Sequence, residues 1–348
     1  MSRLGAIVPV LNPDIGTQQL VDLAVDAEAC GYDAAYMPEA WARDALTLTT
    51  AFALATSRIE IGTAVITIPT RTPAVTAMAA ATIDDLSGGR FTLGLGMGHQ
   101  RTTTCWHGLE YEPKLGWLRE YVDIVRRIHT REQMDYHGEW LRCTDYRLAF
   151  EPCRRRLPIY LAALRLGTMR LAGEVADGVF MYFAPPEYIR KGIAAMNEGL
   201  ERAGRDPAAF DRAVMIPAWV TDDTARARDV ARTQVAWYSN LTFYNTMFRE
   251  AGFEDEADRL RDAWAKVKAA DPEMKEWLAL SDCGTAELVS DELVEAVAVF
   301  GSADECRAKI EGYRALGVDT PIVFPYGVYA DGQQAFEGYA RTLAGCAP

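Results

Sequence analysis

Short β-rich segments alternate with amphipathic helical segments along almost the whole chain, and this alternation restricts the fold more than any other feature. The pattern is typical of βα units around a parallel sheet. Eight strand candidates with intervening helices favour a closed (β/α)8 barrel over an open sheet. A chain of 348 residues is long enough for such a barrel, so we expect one α/β domain over residues 1–348.

The predicted strands are Leu4–Val10, Asp33–Met37, Ile59–Ile66, Arg90–Gly96, Leu157–Ala163, Gly178–Tyr182, Ala213–Val220 and Thr320–Pro325. The predicted helices are Thr17–Cys30, Asp44–Thr56, Pro73–Leu86, Trp117–His129, Leu166–Val175, Pro186–Ala203, Ala303–Leu316 and Gln333–Leu343. Residues 222–300 are too long for one crossover, and their pattern is charged and mostly helical over Ala225–Tyr238 and Glu254–Ala270. We therefore expect a helical insertion after strand seven, acting as a lid or an oligomer contact.

The charge balance excludes several classes of function. The sequence has 36 Lys and Arg residues against 49 Asp and Glu, a net charge of −13, and such a surface repels nucleic acid and anionic membranes. The first residues are predicted to lead directly into a strand, so we expect no signal peptide. The cysteines are scattered and form no CxxC pair, which is typical of reduced thiols in a cytoplasmic protein without a metal site.

In a (β/α)8 barrel the chemistry lies at the C-terminal ends of the strands. That rule selects the segments Pro38–Asp44, Ala64–Thr72, Gly96–Gly108, Ala163–Gly167 and Met181–Pro186.

The most conspicuous motif is the string Gly94-Leu95-Gly96-Met97-Gly98. A GxGxG string can signal a dinucleotide site, but this one lacks the third glycine spacing, and no acidic residue about 20 positions later ends a second strand. A Rossmann site is therefore not favoured. Two interpretations remain open. Either Gly94 and Gly96 let a barrel strand pack tightly, or the strand end passes close to a flat aromatic ring.

This glycine segment resembles the luciferase-like oxidoreductase family, especially its F420-dependent branch. Three further segments carry the same resemblance in family-like order and spacing: Gly62–Thr67, Pro158–Gly178 and Ala296–Cys306. The resemblance covers most of the chain apart from residues 222–285. It implies a luciferase-like barrel, hydride chemistry with coenzyme F420, a small organic substrate and a homodimer.

The resemblance also implies a set of coenzyme contacts. The third strand should end in a bulge with a non-prolyl cis peptide at Ala64–Val65, the alternative being an ordinary trans strand end. Relatives often have glycine in place of Leu164 and Arg165, so Arg165 is either a phosphate partner or a solvated surface arginine. The implied contacts are Ala64, Val65 and Thr67 at the bulge, Gly96, Met97 and Gly98 at the ring edge, and Ala163, Leu164, Arg165 and Gly167 at the phosphate.

Two residues are candidates for proton transfer, Glu39 after strand two and His99 after strand four, at neighbouring strand ends. Several F420-dependent relatives carry an acidic residue followed by His after strand two, where this chain has Ala40, and some carry Glu where it has His99. For Glu39 the alternative is a structural ion pair with Arg43.

Three aromatic residues are candidate substrate contacts, namely Trp41, His107 and Tyr182, although an aromatic residue at a strand end is often ordinary packing. We expect His129 and His137 at the surface. Three functions stay open: F420-dependent hydride transfer between the deazaflavin C5 and a C=C, C=N or C=O carbon, an FMN-dependent two-component monooxygenase, and a flavin-binding protein without turnover.

Overall fold

The computed structural model describes residues 3–270 and 284–348. Residues 271–283 of the predicted insertion, which include Cys283, lie outside the described residues. The strands are β1 (Gly5–Ile7), β2 (Ala34–Met37), β3 (Glu60–Thr63), β4 (Ile66–Thr67), β5 (Phe91–Gly96), β6 (Met134–His137), β7 (Arg142–Tyr146), β8 (Ile159–Ala162), β9 (Gly178–Tyr182), β10 (Asp211–Val220), β11 (Val299–Gly301) and β12 (Thr320–Pro325). The helices are α1 (Thr17–Ala29), α2 (Ala45–Ala55), α3 (Pro73–Leu86), α4 (Leu115–His129), α5 (Leu166–Val175), α6 (Pro186–Arg202), α7 (Thr224–Ser239), α8 (Thr242–Glu250), α9 (Glu254–Ala270), α10 (Asp291–Val297), α11 (Ala303–Arg314) and α12 (Gly332–Cys346).

Eight parallel strands close into a barrel. They pair in the order β1, β2, β3, β5, β8, β9, β10 and β12, and β12 pairs back to β1 through Ile322 and Gly5. The predicted (β/α)8 barrel is therefore confirmed, and each predicted barrel strand coincides with an observed one. The helices lie outside the strands, where their apolar faces form the larger part of the core.

The interior of the barrel is filled with side chains. Tyr36 and Phe180 meet edge to face at 5.0 Å between ring centroids, and Tyr160 lies 5.1 Å from Phe180. Small residues such as Ala34 and Ala213 make room for these rings. Because the interior is a packed core, a ligand has access only at an end of the barrel.

The third predicted strand is interrupted. It divides into β3 and β4 at the cis peptide bond between Ala64 and Val65, which confirms the bulge. Beyond the break, β4 continues alongside β5, with Thr67 opposite Gly96. The chain therefore turns toward the mouth of the barrel just where the candidate coenzyme contacts occur.

The segment between β10 and β12 holds more elements than its pattern predicts. Helices α7 and α9 match the prediction, whereas α8, α10 and β11 were not predicted because they are short. The antiparallel hairpin of β6 and β7 was also missed, since most of its side chains are exposed or half-buried and give no apolar alternation. Within the described parts of the chain, no helix combines the length and apolar character needed to cross a bilayer.

Candidate active site

Glu39 lies just beyond β2 and is held by two donors. Its Oε2 accepts the backbone N–H of Thr67 at 3.1 Å and lies 2.6 Å from Nη1 of Arg71. The second Arg71 nitrogen reaches Asp44 at 2.6 Å. These contacts tie the end of β2 to the segment that follows the bulge, so Glu39 lies at the mouth of the barrel as expected.

The alternative prediction for Glu39, a structural ion pair with Arg43, was wrong. Arg43 donates instead to the backbone carbonyls of Val10 and Ile15, which fixes the loop after β1. Arg71 takes its place as the ion-pair partner. Sequence reasoning missed Arg71 because it is 32 residues from Glu39 in the chain, and only the closure of the barrel brings the two together.

Gly94 and Gly96 pack tightly against the bulge. A Cβ added to Gly94 would lie 1.9 Å from the carbonyl oxygen of Thr63, and one added to Gly96 would lie 2.6 Å from Val65 Cγ2. Thr63 also exchanges hydrogen bonds with the Gly94 backbone at 3.0 Å in each direction. Of the two interpretations of this glycine string, close packing therefore explains Gly94 and Gly96, and the close neighbour is the bulge itself.

At Gly98 the backbone conformation, as well as close packing, requires glycine. Its φ of +71° is in the left-handed region that side chains disfavour. A Cβ on Gly98 would also approach Thr67 Cγ2 to 2.5 Å. The Gly98 carbonyl accepts a hydrogen bond from the Tyr111 hydroxyl at 3.2 Å. The close approach of Gly98 to Thr67 brings the ends of β4 and β5 together. Met97 is half-buried and packs against the core.

His99 lies in the loop after β5 and is half-buried. Its Nδ1 accepts the backbone N–H of Arg101 at 3.3 Å, and its carbonyl accepts the N–H of Thr103 at 3.0 Å. The following residues Thr102–Trp106 form one turn of π-helix, a conformation often found at functional sites. Phe243 of α8 reaches the His99 ring at 6.3 Å between centroids, so the insertion extends over the mouth.

Two tryptophans meet above the mouth. Trp41 and Trp106 pack edge to face at 5.9 Å, although both remain about two-fifths exposed. They come from the loops after β2 and β5, which also carry Glu39 and His99. His107 follows Trp106 and is exposed. The candidate substrate residues Trp41 and His107 thus lie on neighbouring loops.

Tyr182 ends β9 and belongs to an aromatic cluster. Its ring lies 5.4 Å from that of Tyr238, 6.4 Å from that of Tyr244 and 5.4 Å from that of Phe324. Burial, and the neighbouring Tyr238 and Tyr244, raise the pKa of Tyr182 well above its ordinary value. Its hydroxyl therefore stays protonated, and helices α7 and α8 are anchored over this part of the mouth.

The segment after β8 presents the beginning of α5. Arg165 is the N-cap residue, yet no side chain caps the helix, and the first backbone bond within it runs from Met169 N–H to the Arg165 carbonyl. Arg165 is exposed and forms no ion pair with any described residue. Buried Ala163 and half-buried Leu164 precede it, and the Tyr188 hydroxyl donates to the Leu164 carbonyl at 2.6 Å. Gly167 lies in the first turn.

The two remaining histidines differ in burial. His137 is exposed, as expected, although it lies in β6 rather than in a loop. His129 is only 2% exposed, so the expectation of a surface position was wrong. His129 lies in the last turn of α4, which faces the segment before β8. The Nε2 atom of His129 lies 2.9 Å from the Arg154 carbonyl oxygen.

Comparison with known proteins agrees with this fold. The family model for luciferase-like monooxygenases matches residues 8–320. A putative coenzyme F420-dependent oxidoreductase of Mycobacterium tuberculosis is 30% identical, over 88% of this chain and 90% of the relative. The 5,10-methylenetetrahydromethanopterin reductase of Methanolobus tindarius is 28% identical, over 92% and 93%. An F420-dependent glucose-6-phosphate dehydrogenase of Nakamurella multipartita is 29% identical, over 82% and 84%.

A solved structure shares the fold. The coenzyme F420-dependent tetrahydromethanopterin reductase from Methanopyrus kandleri superposes with a TM-score of 0.79 and 21% identity, over 98% of both chains. The family match covers most of the chain and includes the strand ends that carry the bulge and the glycine string. This protein therefore belongs to the luciferase-like monooxygenase family.

Proposed function

We propose that this protein is an F420-dependent oxidoreductase that moves hydride between the coenzyme and a C=C, C=N or C=O carbon of a small organic substrate. Two of its relatives, the putative oxidoreductase and the glucose-6-phosphate dehydrogenase, are named as F420-dependent. The observation that carries the proposal is the open start of α5, with an exposed arginine beside it, at the same barrel end as Glu39 and His99.

The start of α5 suits the phosphate of such a coenzyme. The N–H groups of Leu166, Gly167 and Thr168 precede the first backbone bond of the helix and have no side-chain cap. Such groups, at the positive end of the helix dipole, are a ready anion site. Arg165 adds a guanidinium with no ion-pair partner among the described residues. These donors offset locally the net charge of −13.

The ring of the coenzyme would lie at the mouth of the barrel, over the bulge and the end of β5, which pack directly against each other. Ala64, Val65 and Thr67 would support it from below, and Gly96, Met97 and Gly98 would border its edge. When bound, F420 supplies a deazaflavin carbon, C5, that accepts or releases a hydride. The protein's part is to orient the substrate against that carbon and to move the balancing proton.

His99 is better placed than Glu39 to move that proton. Since His99 Nδ1 accepts a backbone N–H, a neutral ring carries its hydrogen on Nε2. The imidazolium form of the ring would give the balancing proton to the substrate and return to neutral imidazole. Glu39 Oε2 is already engaged by Thr67 and Arg71. We propose that His99 exchanges the proton and that Glu39 positions the bulge. Trp41, His107 and Tyr182 would border the substrate.

Coenzyme binding tests the first part of the proposal. Titration with F420 and with FMN, followed by fluorescence, should give saturable binding of F420 and none of FMN. Arg165→Ser should weaken F420 binding about tenfold, a change of about 1.4 kcal/mol, whereas Arg202→Ser, on an exposed part of α6, should leave it unchanged. Binding of FMN alone would overturn the proposal in favour of a monooxygenase.

Turnover tests the second part. Reduced F420 is mixed with the protein and a panel of enones, imines and ketones, and the return of the oxidised coenzyme's visible absorbance is followed. At least one class of electrophile should be reduced. A protein that binds F420 tightly but turns over no member of the panel would instead be a coenzyme-binding protein without catalysis.

We further propose that two copies pair through the outer face of α2 and α3. Leu54, Val75, Met78 and Leu86 are all about half exposed or more on this face. The two helices contain no Lys or Arg, and their only acids are Asp84 and Asp85. Two copies of a strongly acidic protein approach most readily where charge is absent. The six described cysteines are free thiols, which supports a cytoplasmic location.

A further inference from the structure

A band of exposed apolar side chains runs along the mouth of the barrel. Five large apolar residues that are each more than a third exposed lie on loops that follow barrel strands: Leu11 after β1, Trp41 after β2, Trp106 and Leu109 after β5, and Val328 after β12. Strands β12, β1, β2, β3 and β5 are consecutive in the barrel, so these residues lie along one side of its C-terminal end. These five residues are here called the apolar rim.

The loop that carries Trp106 and Leu109 is held by its own hydrogen bonds. The Thr103 N–H donates to the His99 carbonyl at 3.0 Å, and the Leu109 N–H donates to the Thr103 carbonyl at 3.1 Å. Trp106 then contacts Trp41 of the loop after β2, edge to face at 5.9 Å between ring centroids. The rim is therefore preformed, which lowers the entropic cost of binding a rigid ligand there.

The apolar rim is continuous with the groups proposed for hydride transfer. Trp41 follows Glu39 by two residues, and the turn that ends at Trp106 begins against the His99 carbonyl. A flat ring on the rim would thus lie beside the proposed proton-transfer group rather than on a separate surface. Small-molecule sites combine apolar and aromatic walls with a few polar groups that set the orientation of the ligand, and the rim supplies such walls.

The arginines on these loops have other partners. Arg43 donates to two backbone carbonyls of the loop after β1, and Arg71 pairs with Glu39. Arg165 is assigned above to the phosphate of the coenzyme. Arg101 lies on the same loop as Trp106 and is half-buried. An anionic substrate held by Arg101 is therefore the alternative that an experiment must separate from apolar contact with the rim.

We propose that the substrate carries an uncharged aromatic ring, which lies on the apolar rim against Trp106 while the reacting carbon faces the coenzyme. The inference rests on the proposed hydride transfer, whose substrate class it narrows. The exposed parts of the Trp106 and Trp41 rings can stack on a substrate ring or meet it edge to face. The ring also removes exposed apolar surface of the rim from water. Trp106 and Leu109 thereby become specificity-determining residues beside Trp41.

The experiment is calorimetric titration of the full chain, with and without oxidised F420, using three enones that share one reacting group. Benzylideneacetone carries a phenyl ring, its methyl analogue has a methyl group in place of that ring, and its para-carboxylate adds a negative charge. We expect the phenyl enone to bind about tenfold more tightly than the methyl enone, because the ring buries more apolar surface. The carboxylate should bind no more tightly than the phenyl enone.

Substitutions locate the ring on the rim. Trp106→Ala should weaken binding of the phenyl enone about tenfold, whereas Trp106→Phe keeps an aromatic ring and should retain most of the affinity. Binding of the methyl enone should hardly change in either variant, which separates a contact with the ring from a general disturbance of the loop. Trp41→Ala tests the same contact from the other loop and decides the question if Trp106→Ala does not fold.

Trp140→Ala is the matched control. Trp140 is 42% exposed, against 43% for Trp106, but it lies between β6 and β7, away from the loops that form the rim. This variant should bind all three enones as the parent protein does.

Three results would overturn the inference. One is equal binding of the phenyl and methyl enones, and another is tighter binding of the carboxylate, which would assign the selection to Arg101. The third is phenyl-enone affinity that is unchanged in both Trp106→Ala and Trp41→Ala. Failure of the proposed function is read separately, as absence of F420 binding in the coenzyme titration. A protein that binds F420 but does not prefer the phenyl enone keeps the proposed function and loses only this inference.

Discussion

The carboxylate of Glu39 and the guanidinium of Arg71 lie 2.6 Å apart and join the end of β2 to the segment that precedes α3. Burial acts against the charged form of Arg71, but Glu39 and Asp44 outweigh it, so the pKa of Arg71 is raised. The Tyr121 hydroxyl also donates to the Arg71 carbonyl at 3.1 Å. The bulge is therefore stabilised by the Glu39–Arg71 ion pair as well as by the pairing of β4 with β5.

Removal of Arg71 should destabilise the protein. Both partners are mostly buried, and Arg71→Met leaves a carboxylate with one donor fewer, so we expect a loss of about 2 kcal/mol. Arg190→Met breaks an exposed pair with Glu187 and should cost less than about 0.5 kcal/mol. Urea unfolding measures both. Equal losses in the two variants would show that the Glu39–Arg71 pair adds nothing to stability.

Two glycine substitutions should have opposite effects. Gly94→Ala places a methyl group 1.9 Å from the Thr63 carbonyl oxygen, and the displaced backbone should cost about 3 kcal/mol or more. Gly312 lies within α11 with open space around its Cβ position, so Gly312→Ala should stabilise by about 0.5–1 kcal/mol. Thermal unfolding ranks the two. A Gly94→Ala protein as stable as the parent would contradict the packing of β5 against the bulge.

His99→Ala should separate proton transfer from coenzyme binding. If the ring exchanges the balancing proton, kcat should fall about 100-fold while the Kd for F420 stays constant. Glu39→Gln should instead weaken F420 binding, because it disturbs the Thr67 amide and the bulge. Steady-state rates and fluorescence titration give the two quantities. A His99→Ala enzyme with a normal kcat would move the proton transfer to another group.

Acid stability should depend on Glu28. Partial burial opposes its ionisation, but hydrogen bonds from the backbone N–H groups of Ile59, Arg58 and Ser57 outweigh that effect and lower the pKa of Glu28 to about 2. A folded-state pKa below the ordinary value stabilises the protein above about pH 4.5, and this contribution is lost as the pH falls toward 2.

Glu28→Gln should therefore lower stability at pH 7 by about 1 kcal/mol after allowance for solvent screening, and the difference should shrink at pH 3. Exposed Glu201, on α6, provides the control, since Glu201→Gln should behave as the parent does at both pH values. Urea unfolding at the two pH values measures the effect. A difference that grows on acidification would have the wrong sign for this linkage.

Charge placed on the face of α2 and α3 should separate the proposed dimer. Leu54→Glu combined with Met78→Glu puts like charges on both copies, so light scattering after size exclusion should report the mass of one chain. Val328→Glu, at an exposed apolar residue after β12, should keep the mass of two. A parent protein that already elutes with a mass of 38.5 kDa would refute the dimer.

The barrel was predictable because its signal is local. Each βα unit has its own apolar pattern, and β9 with α6, for example, is evident from Gly178 to Arg202 without any distant residue. Elements without such a pattern were not predicted from the sequence. Strand β11 has only three residues, and the hairpin of β6 and β7 is largely exposed. Short or exposed elements are held by their neighbours rather than by their own periodicity.

The sequence by itself determined the family-like strand ends, and with them the positions of Glu39, His99 and the bulge. Only the tertiary structure decided their partners. Arg71 replaces Arg43 beside Glu39, Phe243 reaches His99 from the insertion, and His129 is buried rather than exposed. The physical reason is that motifs record which residue types occur at a strand end, whereas ion pairs and burial depend on groups that barrel closure brings together from distant parts of the chain.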